Sequence, residues 1–114
     1  MKAKLKFKGK EIEIPDVVKA EGFKKFTGLM FKKEGNALLF EFDEGSKKTI
    51  HSFFCPDFLA IWLNNGKIVE YKIITSGKLS IKLRKEFNKL LEIPLNSKYA
   101  SVVKLFLDTS EIQR

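Results

Sequence analysis

Polar and apolar residues alternate at every step from Lys2 to Lys8, with Ala3, Leu5 and Phe7 between the lysines. This is the two-residue period of a strand with one wet face. Gly9-Lys10 then supplies the glycine-first pair of a type II′ turn. Glu11 and Glu13 alternate with Ile12 and Ile14 before Pro15 ends the run. That register sets Lys8 against Glu11 and Lys6 against Glu13 on one face, with Phe7 against Ile12 and Leu5 against Ile14 on the other. Each such pair contributes roughly 0.2–1 kcal/mol. The first predicted element is therefore a β-hairpin with a charged outer face.

Beyond Pro15 the period lengthens. Asp16 can cap a helix starting at Val17, and Phe23, Phe26, Leu29 and Met30 recur at helical spacing, while Gly22 and Gly28 interrupt any long helix. Short helical segments are predicted between residues 17 and 31. A strand follows over Ala37 to Asp43, with Leu38, Phe40 and Phe42 on one face, then a turn at Glu44-Gly45-Ser46 and a returning strand over Thr49 to Phe54. Pro56 lacks an N–H and forces a stop, bulge or edge. Phe58 to Leu63 resumes as a strand, and an Asn65-Gly66 turn pairs Leu63 with Ile68, Trp62 with Val69 and Ala60 with Tyr71. Phe58, Ala60, Trp62, Val69, Tyr71 and Ile73 would then share one apolar face. The spacing of Leu83 and Phe87, with Ser80 as a cap, predicts a short helix near 81–87, followed by a strand over 89–93 and a last strand from Ser101 to Leu107, with a polar tail from Ser110.

These elements predict a mainly β or α+β chain, a small antiparallel β-sandwich or partly open barrel built from hairpins. With 114 residues it is expected to be a single domain over 1–114. Eleven phenylalanines against two tyrosines and one tryptophan point to a core of rings without polar atoms to satisfy. No apolar run reaches the roughly 20 residues of a membrane span, and the alternating N-terminus lacks the apolar core of a signal peptide. With one cysteine and hence no internal disulfide, a cytoplasmic protein is expected.

The formal charge is +8, which raises nucleic-acid binding. Its distribution is uneven: +6 over residues 1–33, −3 over 34–71 and +5 over 72–114. The basic surface belongs to the two ends. Of the 22 cations only Arg84 and Arg114 are arginine, whereas base reading and bidentate phosphate contacts favour the planar arginine fork. A lysine- and glutamate-rich surface is also a hyperthermophile habit.

The stretch Thr49 to Leu63 holds the chain's one histidine, one cysteine and one tryptophan: His51, Cys55 and Trp62. Imidazole can act as base, ligand or proton switch near neutral pH. One His, one Cys and scattered carboxylates give no zinc-ligand spacing, so no metal site or cofactor is expected. A Cys-His nucleophilic pair needs contact, yet four residues along a strand separate His51 from Cys55 by roughly 13 Å. Cys55, between Phe54 and Pro56, reads as a small buried hydrophobe. Trp62, Tyr71 and Phe58, with Lys67 and Lys72 nearby, could form a stacking platform for bases, but packing in the core is the simpler account. No glycine-rich phosphate loop is present, and no acid–base pair stands out, so no catalytic residue is assigned.

Five blocks carry a resemblance to a known family: Gly28-Leu29-Met30-Phe31-Lys32, Leu38-Leu39-Phe40-Glu41-Phe42, Ile50-His51-Ser52-Phe53-Phe54-Cys55, Ile61-Trp62-Leu63 with Gly66-Lys67-Ile68-Val69, and Leu90-Leu91-Glu92-Ile93-Pro94. In this order they resemble the conserved blocks of the domain-of-unknown-function 192 family, from about residue 17 to residue 107. The resemblance implies a small mainly-β, sandwich-like domain of archaea and bacteria with no established activity, and an extended rather than helical Leu-Glu block. Two positions depart from the family. Cys55 stands where methionine is usual, and Leu59 stands where the family has an acid, with Asp57 at the start of that strand instead.

The function expected is a non-enzymatic binding or accessory module for a small ligand or protein partner. Its site would lie near His51 and include Phe53, Cys55, Asp57 and Glu92. The alternatives are nucleic-acid binding through the basic N- and C-terminal segments, and a hydrolase with His51 as general base and Glu41, Asp57 or Glu92 as its acidic partner.

Overall fold

A computed structural model describes residues 1–19, 35–46, 49–50, 57–74, 81–82 and 86–112. Two of the predicted hairpins are present, whereas among the described residues the expected return of residues 49–54 against residues 37–43 is not seen, since Thr49–Ile50 pairs with Ile81–Lys82. β1 (Ala3–Phe7) pairs with β2 (Lys10–Ile14), and β6 (Phe58–Asn64) pairs with β7 (Lys67–Ile74), both antiparallel. β3 (Val18–Lys19) runs parallel to β4 (Leu38–Ser46), which is antiparallel to β9 (Phe87–Pro94). β9 also pairs with β6, giving a five-stranded sheet in the order β3-β4-β9-β6-β7. β5 (Thr49–Ile50) and β8 (Ile81–Lys82) form a separate two-stranded ribbon. A 3-10 turn at Ser97–Tyr99 leads into helix α1 (Ala100–Ile112). The architecture is mainly β with one α-helix among the described residues, and the strands do not close into a barrel.

β6 is buried along nearly its whole length because it lies between β9 and β7 with apolar residues on both sides. Its two faces feed two clusters. Leu59, Ile61 and Leu63 join Leu91 and Ile93 beneath Leu5, Ile12 and Ile14 of the hairpin and Val102, Val103 and Phe106 of α1. Phe58, Ala60 and Trp62 join Leu38, Phe40, Ile74, Phe87 and Leu90 on the opposite face. Tyr99 ties the layers together. Its buried hydroxyl accepts the Ala37 N–H at 2.9 Å and donates to the Pro15 carbonyl at 2.9 Å.

Several expectations are corrected. In the first hairpin Lys6 faces Glu11, Leu5 faces Ile12 and Lys4 faces Glu13. The turn is thus centred on Lys8-Gly9, with φ of 52° and 80°. Each of these pairings is offset by two residues from the expected one, so every side chain keeps its face. Hydropathy cannot separate the two registers; turn geometry does, because both central residues of a type I′ turn take positive φ. A lysine in this conformation costs about 1 kcal/mol. Lys8→Asn is therefore expected to stabilise the fold by roughly 0.5–1 kcal/mol, raising Tm by a few degrees in a thermal melt. The second turn, Asn65-Gly66, already has this chemistry (φ 52° and 83°), and Asn65 and Asn88 exchange hydrogen bonds that fasten it to β9.

Asp16 adopts a φ of 53°, and Val18–Lys19 is extended, so no helix starts at Val17; residues 20–31 lie outside the described residues. Glu44, Gly45 and Ser46 continue β4 instead of turning, with a register shift against β9 after Glu41. The helix placed near 81–87 is corrected by the extended conformation of Ile81, Lys82 and Phe87. The strand expected over Ser101–Leu107 is helical: Val102, Val103 and Phe106 form one buried stripe at helical spacing.

Finally, Leu63 faces Ile68 as expected, but a bulge at Trp62/Leu63 sets Trp62 against Glu70 and Ile61 against Tyr71. One extra residue in a strand reverses the facing of everything beyond it. Tyr71 and Ile73 consequently lie with Leu59 and Ile61, while Trp62 and Phe58 belong to the other face.

Candidate functional site

The sheet centre carries one chemically unusual side chain. Glu92 lies on β9 between Leu38 of β4 and Ala60 of β6, and it alternates with Leu91 and Ile93, so it shares the face of Leu90 and Ala60. It is 5% exposed, the one buried charged or polar residue among the described residues. Burial in these apolar surroundings disfavours the carboxylate and pushes its pKa from 4.5 up to about 8. At neutral pH the group is therefore mainly a neutral acid, with one O–H to donate and an oxygen to accept. Among the described residues no hydrogen bond or ion pair reaches this carboxyl.

The other carboxylates named from the sequence are placed differently. Asp57 is exposed at the start of β6, with its main-chain oxygen accepting the Leu95 N–H at 3.5 Å. It precedes Ala60, the residue opposite Glu92, by three positions, an odd step that puts it out of phase with the Glu92 side of the sheet. Glu41 is held by Lys19 at 2.7 Å and Lys89 at 3.8 Å, a rung across three neighbouring strands. The hydrogen bond from Lys19 holds its carboxyl below the usual range. His51, Phe53 and Cys55 lie outside the described residues. Among the described residues no three His, Cys, Asp or Glu side chains gather as metal ligands would.

The stacking platform is corrected. Phe58 and Trp62 are buried, and Lys72 sits 5.6 Å from the Trp62 ring centroid. Tyr71, on the other face, meets Phe7 edge-on at 5.3 Å and Phe106 at 5.0 Å. Phe7 and Tyr71 border a cleft of about 420 Å³ between the two hairpins, lined also by Lys6, Lys8, Lys67, Ile68 and Glu70. On the far side of Tyr71 a second hollow of about 190 Å³ lies against Ile73, Phe106 and Leu107. Sequence reading did not assemble this cleft, because no local pattern links residue 7 to residue 71. The adjacent signal, a lysine beside each turn glycine at Lys8-Gly9 and Gly66-Lys67, gains meaning only once the hairpins are neighbours.

The expected ion pairs on the first hairpin are also revised. Lys2 approaches Glu13 at 3.6 Å, whereas Lys6 and Lys8 have no ion-pair partner among the described residues.

No helix among the described residues is long and apolar enough to cross a membrane. No protein-family model matches the chain, and no curated protein matches its sequence. Two crystal structures share the fold. A protein of unknown function from Novosphingobium aromaticivorans DSM 12444 is 13% identical, with 88% of this chain and 76% of that one covered and a TM-score of 0.69. A candidate transcription regulator from Sinorhizobium meliloti 1021 is 15% identical, with 87% and 81% covered and a TM-score of 0.69. At these identities the likeness concerns the fold.

Proposed function

We propose that this chain is a non-enzymatic binding domain whose ligand site is centred on Glu92 and draws on His51, Phe53 and Cys55, while Asp57, out of phase with Glu92, falls outside it. The observation that carries this reading is the buried acid at the sheet centre, which no hydrogen bond or ion pair from the described residues reaches. A polar group in such a place lowers stability unless it is hydrogen-bonded, and strongly perturbed carboxyls collect at functional sites. With no base, nucleophile or metal-ligand cluster beside it among the described residues, Glu92 suits recognition better than turnover. A neutral carboxyl can donate to a carbonyl or ether oxygen, and an amine would draw off its proton and form an ion pair. The hydrolase reading is weakened at one of its three acids, since Glu41 is already engaged by two lysines. We further propose membership of the domain-of-unknown-function 192 family, which the five blocks between Gly28 and Pro94 resemble in order.

A ligand-observed NMR screen of small amines and amides checks the site. Amine hits are expected to weaken about tenfold or more when Glu92 becomes Gln, which cannot ionise and so loses the ion pair, and to weaken again with His51→Ala. Hits that bind both variants like the wild type would remove the basis of the proposal.

Nucleic-acid binding remains a second reading. It is supported by the exposed lysines at 2, 4, 6, 8 and 10 and by the fold shared with a candidate transcription regulator. Such binding would weaken steeply and log-linearly with salt.

A further inference from the structure

β7 is the last strand of the five-stranded sheet, paired on one side with β6. The two hollows lie in line along it and share Tyr71 as a wall. The eight residues of β7 span about 26 Å at roughly 3.3 Å per residue. The first hollow is bounded by the tip of the β1–β2 hairpin, the second by α1. The track is polarised. Lys6, Lys8 and Lys67 are exposed at its hairpin end, opposed there by Glu70 alone, and none of the three has an ion-pair partner among the described residues. At the helix end the lining is Leu59, Ile73, Phe106 and Leu107, and Leu107 is 42% exposed. The one cation among the described residues that line it, Lys72, sits over the Trp62 ring.

We propose that this track binds an extended peptide segment of a partner protein, acidic where it lies between Lys6, Lys8 and Lys67 and apolar where it lies against Ile73, Phe106 and Leu107. Charge complementarity fixes the first half of the occupant and apolar lining the second. A compact molecule would fill one hollow and leave the other open, whereas an extended chain of six to eight residues reaches both. A single-stranded nucleic acid carries a phosphate at every nucleotide, and an apolar half without free cations does not match it. The inference is independent of the Glu92 site, which belongs to the opposite face of the sheet.

Fluorescence anisotropy at low ionic strength tests it with two labelled octapeptides, four glutamates followed by Val-Leu-Val-Phe and the same sequence reversed. One order is expected to bind and to weaken as salt screens the lysines. Lys8→Glu and Lys67→Glu should each weaken it about tenfold. Leu107→Asp should do the same while leaving an all-glutamate octapeptide unaffected. These three residues are exposed, and far-UV circular dichroism establishes that each variant is folded. Glu92→Gln is expected to bind the peptide like the wild type. The proposal is overturned if neither order binds, if the charge reversals and Leu107→Asp leave binding unchanged, if Glu92→Gln abolishes it, or if oligothymidylate binds more tightly than either peptide and displaces it.

Discussion

Glu92→Gln is expected to stabilise this protein by several kcal/mol at pH 8 and to remove most of the pH dependence of its stability between about 4.5 and 8. The carboxyl has a pKa near 4.5 in the unfolded chain and about 8 in the fold. Between these values the folded state holds a proton that the unfolded state releases. Stability is fully present below 4.5, falls as pH rises at about 1.4 kcal/mol per pH unit, and levels off above 8. The whole interval corresponds to roughly 5 kcal/mol, a large part of the 5–15 kcal/mol that holds a typical domain together. Glutamine keeps the shape and cannot ionise. Urea titrations of both proteins at pH 5, 6.5 and 8 check this: the wild-type midpoint should fall with pH and that of the variant should stay nearly level. Parallel curves would mean that Glu92 is not desolvated as described.

Tyr99→Phe is the second large effect, expected to cost about 2–3 kcal/mol. The ring remains, but the variant leaves a buried Ala37 N–H without its acceptor and the Pro15 carbonyl without its donor. Removing one partner from a buried hydrogen bond leaves the other desolvated and unpaired, which costs more than the bond contributes in water. At 4–8 °C per kcal/mol for a domain of roughly this size, Tm should drop by about 10 °C or more. A drop of one or two degrees would show that water replaces the hydroxyl.

What the sequence disclosed follows the range of the forces involved. Both hairpins were legible because each is specified within about a dozen residues by alternation and a glycine turn. The register of the first was not, since a type I′ and a type II′ placement give identical faces. The segment from Ser101 to Leu107 mixes β-branched valines with an alternating Val103, Leu105, Leu107 row and reads as a strand. Tertiary packing decided otherwise by burying Val102, Val103 and Phe106 and leaving Leu105 and Leu107 exposed. The bulge at Trp62/Leu63 has no local signature, and through it Tyr71 moved from an expected core face to a cleft wall. Of the site, Glu92 was named as a carboxylate that the fold could bring near His51, but its isolation among apolar residues depends on β4 and β6 flanking it. The lysine cleft depends on the meeting of two hairpins some sixty residues apart in sequence.

The order β4-β9-β6 also has a consequence for biosynthesis. Both neighbours of β9 precede it in the chain, so a ribosome delivers β4 and the β6–β7 hairpin before the strand that joins them exists. Until residues 87–94 emerge, Phe58 to Leu63 presents an apolar strand with an open edge, the kind of segment that recruits other chains. Slowing translation just upstream of β9 should therefore lower soluble yield more than the same pause placed after it.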